Sequence, residues 1–242
     1  MKTILITGAT SGIGQALTLH AAAKGHQVIA CGRNAKALEQ LAKTDNVTTC
    51  QFDVSDRQAT ITAINALDHS YIDIAVLNAG TCEYVDIDNF DSAMFRRVFE
   101  ANFFGVVYCV EALLPKLTRG CQIAVVDSMA RLLPFSRTQA YGASKAAVHY
   151  FAKSLEVDLA TRGIRVQTVS PGFVETPLTD KNDFKMPARI SAERAAEDML
   201  NGLLSKHSSI YFPTLFGWML RLLNQLPAKL QSHISRALRK QQ

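Results

Sequence analysis

Short apolar runs rich in β-branched residues recur along the chain, and between most of them lie longer amphipathic stretches. The runs are "KTILITG" (residues 2–8), "HQVIACG" (26–32), "VTTCQFD" (47–53), "IDIAVLNAG" (72–80), "CQIAVVDS" (121–128) and "IRVQTVSPG" (164–172). Each reads as a strand. A helical stretch from about Gly14 to Lys24 follows the first run and is closed by Gly25. At least six strands separated by helical segments predict βαβ units and a parallel sheet, an α/β fold with helices on both faces in three layers, α/β/α. No linker, repeat or low-complexity stretch interrupts this pattern before about Pro213, so residues 1–212 read as one doubly wound domain. Residues 213–242 read as a C-terminal helical extension, apolar and basic.

The first strand runs into "TGATSGIG", with Gly8, Gly12 and Gly14 spaced by Thr10, Ser11 and Ile13. Strand, glycine loop and helix in that order form a Rossmann-type phosphate loop. Gly8 permits the tight turn, Gly12 leaves room for a pyrophosphate, and Gly14 lets the helix pack on the sheet, with the helix N-terminus favouring the phosphate charge. An acid about twenty residues further on would hold a ribose 2′-hydroxyl. No acid lies between Gly14 and Glu39, and "ACGRN" offers Arg33 instead. A guanidinium there suits a 2′-phosphate. The expected cofactor is NADP(H), with NAD(H) the lesser option.

Ser128, Tyr141 and Lys145 carry the candidate chemistry. Tyr141 and Lys145 are spaced i, i+4 in "AYGASK", so on a helix they share a face. A free phenol, with a pKa of about 10, is a poor base near neutrality. An ammonium about 4 Å away is worth roughly 4 kcal/mol at an effective dielectric of 20, enough to lower that pKa by up to about three units. Ser128 can donate a hydrogen bond to a substrate oxygen where negative charge develops. A nicotinamide beside such a tyrosine makes a carbonyl or alcohol oxidoreductase site. A catalytically idle dinucleotide sensor or membrane-associated interaction protein on the same fold is the alternative; retention of both Tyr141 and Lys145 speaks against it.

With "DV" at Asp53–Val54, "NAG" at Asn78–Ala79–Gly80, Asn102 and "PGFVET" added, the chain from Lys2 to about Thr176 resembles a compact, single-domain short-chain dehydrogenase/reductase. The resemblance implies that Tyr141 is the general acid/base, that Ser128 orients and polarises the carbonyl, and that Lys145 lowers the tyrosine pKa and holds the nicotinamide ribose. It implies a water-supporting role for Asn102 in a proton relay. Asp53 and Val54 would flank the adenine, and Asn78, Ala79 and Gly80 would line the cofactor cleft. Pro171, Gly172, Val174 and Thr176 would bind the cofactor with Tyr141 and Lys145, Val174 and Thr176 reaching the nicotinamide carboxamide or the phosphates. The expected partners are a small-molecule carbonyl or alcohol and further copies of the chain, as a homodimer or homotetramer. Four positions depart from the family pattern: Leu77, Asp127, Arg131 and Gln167. Arg131 and the following "LLPF" lie near the expected substrate mouth, and Pro177–Arg194 would cover the substrate.

Composition fits this picture. Hydrophobic residues make up 48% and charged residues 19% of the 242, which suits a globular protein rather than a disordered one. No apolar run is expected to span a membrane, and the glycine loop interrupts any signal-like stretch, so a cytoplasmic protein is expected. Cys31, Cys50, Cys82, Cys109 and Cys121 are scattered and read as reduced thiols. His20, His26, His69, His149, His207 and His233 show no metal spacing, and Asp86, Asp88 and Asp91 read as a solvated face, so no metal is expected. Beyond Asp198 no acid occurs, while Lys206, Arg221, Lys229, Arg236, Arg239 and Lys240 supply the formal excess of +5. "YFPTLFGWMLRLLNQLP" is strongly apolar, and Leu230, Ile234 and Leu238 share one face of a basic amphipathic segment. Three readings of this tail stay open: packing on the body or a second subunit, a lid over an apolar substrate, or peripheral docking of 213–242 on the anionic inner membrane surface. Nucleic-acid binding is not expected, because no recognised binding module is present.

Overall fold

The computed structural model describes residues 1–67, 72–180, 182, 184 and 186–239, and for Arg239 the backbone only. His69 and Lys240 lie outside the described residues, as do three positions of the expected cover, 181, 183 and 185.

Seven parallel strands form one sheet: β1 (Thr3–Thr7), β2 (Gln27–Gly32), β3 (Val47–Gln51), β4 (Ile74–Leu77), β5 (Gln122–Val126), β6 (Arg165–Pro171) and β7 (Ser209–Phe212), in the order β3-β2-β1-β4-β5-β6-β7. Ile4 pairs with Val28 on one side and Ile74 on the other, and Ile74 pairs onward with Gln122. The order reverses between β1 and β4, and the carboxyl ends at such a switch point open a crevice for a ligand. The expected strands are all present but shorter. The seventh, "SIYF", escaped the sequence reading because its four residues merge into the apolar tail without a turn signal.

Alternation along the strands builds the two outer layers. Ile4 and Ile6 of β1 face one side with Val28, Ala30, Val76 and Val126. They meet α1 (Gly12–Ala23) through Leu17 and Ala21, and α7 (Ala192–Leu204) through Met199 and Leu203. Leu5 faces the other side with Ile29, Ala75, Leu77 and Ile123. There it meets α3 (Arg57–Asn65), α5 (Gly105–Leu113) and α6 (Gln139–Ala160) through Ile64, Val110, Leu113, Val148 and Ala152. The short α2 (Ala35–Leu41) adds Leu38 and Leu41 to the first cluster. Asp56 caps α3 by accepting from the Ala59 amide at 2.9 Å. Asp91 likewise caps α4 (Ser92–Phe99). The first helix begins at Gly12, two residues before the expected start.

One expectation is corrected. The helical run Ser92–Lys116, which joins α4 to α5 through a π-helical turn at Glu100–Phe104, is long and apolar enough to cross a membrane by length and composition. It is instead a layer helix of the domain. Val98, Asn102, Val106, Val110 and Leu113 are buried, and the run packs on α3 and α6.

The tail forms α8 (Thr214–Asn224) and α9 (Ala228–Arg239). Phe216 and Leu220 are buried against Met129, Leu132 and Leu133, just beyond β5. The Asn224 side-chain amide donates to the Leu132 carbonyl at 2.6 Å, and Gln231 donates to the Asn224 carbonyl at 2.9 Å.

Candidate active site

The glycine loop is a steric solution. A methyl group on Gly14 would lie 2.2 Å from the Gly8 carbonyl and 2.6 Å from the Asn78 side-chain amide. Only a residue without Cβ lets α1 start this close to the end of β1. Gly12 has φ +53, in the left-handed region, and the Thr176 methyl lies 3.0 Å from where its Cβ would be. Ser11, at the N-cap of α1, makes no side-chain capping bond. The first amides of α1 therefore point into the cleft without an intrahelical partner, a ready anion site. These features fit a dinucleotide pyrophosphate.

Arg33 and Asp53 come together at the carboxyl edge of β2 and β3, with a guanidinium nitrogen 3.2 Å from the carboxylate. Burial works against the Asp53 charge, but the Ser55 amide and hydroxyl and the Arg33 guanidinium hold its carboxyl below its ordinary value. The Arg33 side chain remains largely exposed and open to a further anion. Thr10 lies over Gly32, and Val54 packs against Gly105. Asn78 ties the end of β4 to the loop: its side chain donates to the Thr7 carbonyl at 3.1 Å, while its backbone amide and that of Ala79 donate to the Thr7 hydroxyl at 3.0 and 3.1 Å. Val174 is buried and bridges Ile190, and Gly172 donates to the Phe212 carbonyl at 2.8 Å, carrying the chain from Pro171 back under α8.

The reactive cluster stands at the ends of β4 and β5. The Ser128 hydroxyl accepts from the Ala130 amide at 3.1 Å and is close enough to the Tyr141 phenol to lower its pKa. The Lys145 ammonium donates to the Val126 carbonyl at 2.9 Å and lies 5.9 Å from the centre of the Tyr141 ring. Gly80 leaves room between Lys145 Nζ and Asn102 Oδ1. Asn102 sits in the π-helical turn, a device frequent at functional sites. Its Oδ1 accepts from the Thr81 amide at 2.7 Å, and its Nδ2 donates to the Thr81 carbonyl and the Ser144 hydroxyl at 2.9 and 3.0 Å. Ser144 in turn donates to the Tyr141 carbonyl at 2.7 Å. The four expected catalytic residues thus form one connected group.

The electrostatics differ from the expectation that Lys145 tunes the phenol toward neutrality. Burial pushes the Tyr141 phenol above its ordinary value, aided by the Cys82 thiol and the Asp127 charge, and the Ser128 hydrogen bond only partly opposes this. Burial also pulls Lys145 down to about 8, against the pull of Asp127 and Cys82. The ammonium is anchored on the Val126 carbonyl rather than on the phenol oxygen, so in this site desolvation outweighs attraction. Tyr141 is held protonated.

Known proteins are similar to this chain in sequence and fold. The family model for short chain dehydrogenase matches residues 2–186. The chain belongs to the short-chain dehydrogenase family. An uncharacterized oxidoreductase of Myxococcus xanthus is 34% identical over 248 residues, covering 98% of both chains. A 3beta-hydroxysteroid dehydrogenase of Mediterraneibacter gnavus is 34% identical, covering 81% of this chain and 74% of that one. Among solved structures, the closed form of a serine dehydrogenase complexed with NADP+ superposes with a TM-score of 0.79 at 26% identity, covering 87% of this chain and 94% of that one. This short-chain dehydrogenase is accordingly an NAD(P)-dependent oxidoreductase of the CH–OH/C=O pair.

Three groups at the site of this short-chain dehydrogenase escaped the sequence reading. Thr7, buried at the end of β1, anchors Asn78 and Ala79; a threonine in a β-branched run gives no signal of that role. Asp127, whose side chain is wholly buried, holds the Arg131 guanidinium at 2.9 Å and the His149 imidazole at 2.5 Å through Oδ2. His149 follows Lys145 by one helical turn, and Arg131 reaches on to the Tyr211 hydroxyl at 3.0 Å, so two departures from the family pattern are partners of each other. Finally, Cys82 and Tyr84 face Tyr141. From Tyr84 an aromatic run continues through Phe184 (5.9 Å between ring centres) and Phe173 (6.1 Å) to Phe216 (6.1 Å) on α8. Spacing could not reveal it, since its members come from three separate segments: the stretch after β4, the connection from β6 to α7, and α8. All five cysteines are free thiols, and among the described residues no cluster of three or more His, Cys, Asp or Glu side chains could hold a metal ion.

Proposed function

We propose that the protein is an NADP(H)-preferring reductase of a lipophilic carbonyl compound, acting in reverse on the secondary alcohol. The observation that carries this reading is the gathering of Ser128, Tyr141 and Asn102 around the buried Lys145 ammonium, which lies 5.9 Å from the centre of the Tyr141 ring. The nicotinamide, when bound, supplies the hydride. Gly8, Thr10, Ser11, Gly12, Ile13 and Gly14 would hold the pyrophosphate against the free amides of α1, and Arg33 would pair with the 2′-phosphate. Ser128 donates a hydrogen bond to the carbonyl oxygen and polarises it. Tyr141, kept protonated by its burial, gives its proton to that oxygen as charge builds. Lys145 stabilises the phenolate left behind, and Asn102 keeps the Thr81 turn and α6 in register with it.

The aromatic run from Tyr84 to Phe216 supports an apolar substrate, as does the steroid alcohol named for the Mediterraneibacter relative. The NADP+ of the serine dehydrogenase complex supports the cofactor choice. Exposed Phe104, Tyr150 and Val157 on the α5–α6 flank support a homo-oligomer.

The test is a panel of apolar ketones and aldehydes followed by NADPH absorbance, run beside Tyr141→Phe. Loss of the proton donor lowers kcat by about a thousandfold with cofactor affinity unchanged. Equal turnover by the variant would overturn the mechanism, and a preference for NADH above tenfold would overturn the cofactor assignment.

A further inference from the structure

Helix α8 is apolar on two faces, one packed and one open. Its inner face, Phe216 and Leu220 with Leu223 beside them, is packed on Met129, Leu132 and Leu133. Its outer face carries Leu215, Trp218, Met219 and Leu222 at i, i+3, i+4 and i+7, with relative exposures of 84%, 62%, 48% and 71%. Leu230 on α9 is also half exposed. A stripe of four large apolar side chains left open on one helix is more than scattered surface exposure. Arg221 lies at its edge, with its guanidinium 4.6 Å above the Trp218 ring and 5.0 Å above Tyr211. Lys229 and Arg236 are exposed on α9, and no acidic residue occurs beyond Asp198.

We propose that the outer face of α8, with Arg221 at its edge and the exposed Lys229 and Arg236 on the following α9, docks the protein peripherally on an anionic bilayer surface. The charge pattern chooses this occupant. A second copy meeting the stripe about a two-fold axis would bring each copy's basic residues toward the other's, and the segment has no acid to answer them. An anionic leaflet offers both what the stripe lacks, an apolar boundary and a layer of negative headgroups. Trp218 suits that depth, since an indole sits with its body among acyl chains and its N–H toward water. Arg221 can lie along the ring with its charge at the headgroups. The inner face holds the helix on the domain, so docking requires no unfolding of the tail. This surface is separate from the reaction assigned above, and lipid binding is read without turnover.

Co-sedimentation of the full chain with vesicles of phosphatidylcholine alone, or of phosphatidylcholine mixed with about one third anionic phosphatidylglycerol, tests this. Partitioning is expected only with the anionic vesicles, and it falls at about 0.5 M salt because the attraction is screened. Trp218→Ser combined with Leu222→Ser lowers it at least about tenfold, the apolar contact being lost. Arg221→Gln, Lys229→Gln and Arg236→Gln together lower it by about a hundredfold. Equal soluble fractions with both vesicle types would overturn the proposal, as would binding unchanged by either set of substitutions. If sedimentation velocity instead shows a dimer that the Trp218/Leu222 variant dissociates, with no vesicle binding by the unmodified chain, the face belongs to a second copy and the proposal fails.

Discussion

Lys145→Met isolates the consequence of burying an ammonium. Lys145 is 4% exposed, its pKa is pulled down to about 8, and its ordinary value is 10.5. A lysine whose folded pKa lies below its unfolded one weakens the fold wherever both states are protonated, here below about pH 8; the penalty fades as pH rises toward 10.5, because the unfolded chain then binds more protons. At roughly 1.4 kcal/mol per unit, the penalty is about 3 kcal/mol at pH 7 and about 1 kcal/mol at pH 9.5. Methionine fills a similar volume without a charge. It forfeits the hydrogen bond to the Val126 carbonyl, which offsets part of the gain by an amount that does not vary with pH. The stability difference between Lys145→Met and the unmodified chain therefore moves by about 2 kcal/mol in favour of the unmodified chain between pH 7 and 9.5. Urea unfolding followed by far-UV circular dichroism at both pH values, at one protein concentration, measures it. A difference that stays the same across this range would refute the reasoning, since it would mean that Lys145 is not held as a desolvated cation. Turnover of the variant falls at least a hundredfold at either pH.

Three further outcomes follow from the geometry. Arg33→Ser lowers kcat/KM for NADPH by about tenfold while leaving NADH unchanged, because an exposed guanidinium contributes modestly to a phosphate contact; parallel kinetics with the two cofactors check this. Gly14→Ala forces a methyl group to within 2.2 Å of the Gly8 carbonyl, opening the loop. Fluorescence titration is expected to show NADPH affinity reduced at least tenfold, with stability lower by about 1–3 kcal/mol. Phe216→Ala removes a ring that is 8% exposed and ends the aromatic run, so it costs about 3–5 kcal/mol and raises KM for apolar carbonyls more than it lowers kcat.

Much of the architecture is legible in the chain because its signals are local. The β-branched runs, their spacing, and the strand–loop–helix context of Gly8, Gly12 and Gly14 each act over a few residues, and the fold uses them as written. Lys145 and Tyr141 share a helix face for the same reason. The two-residue error at the start of α1 and the missed β7 are boundary effects: the helix takes in Gly12 and Ile13 from the loop, and a four-residue edge strand carries little periodicity.

What the chain by itself determined is the parallel sheet, the strand–glycine loop–helix unit and the residue types of the candidate site. Only the tertiary structure decided how those groups behave. Whether Lys145 lowers the tyrosine pKa depends on where its ammonium is anchored and how much water surrounds the phenol, and neither is a property of spacing. The partnership of Asp127, Arg131 and His149, and the line of rings from Tyr84 to Phe216, join residues far apart in sequence. The tail's two apolar faces look alike as text; the body covers one and leaves the other open, because burial belongs to a surface and not to a string.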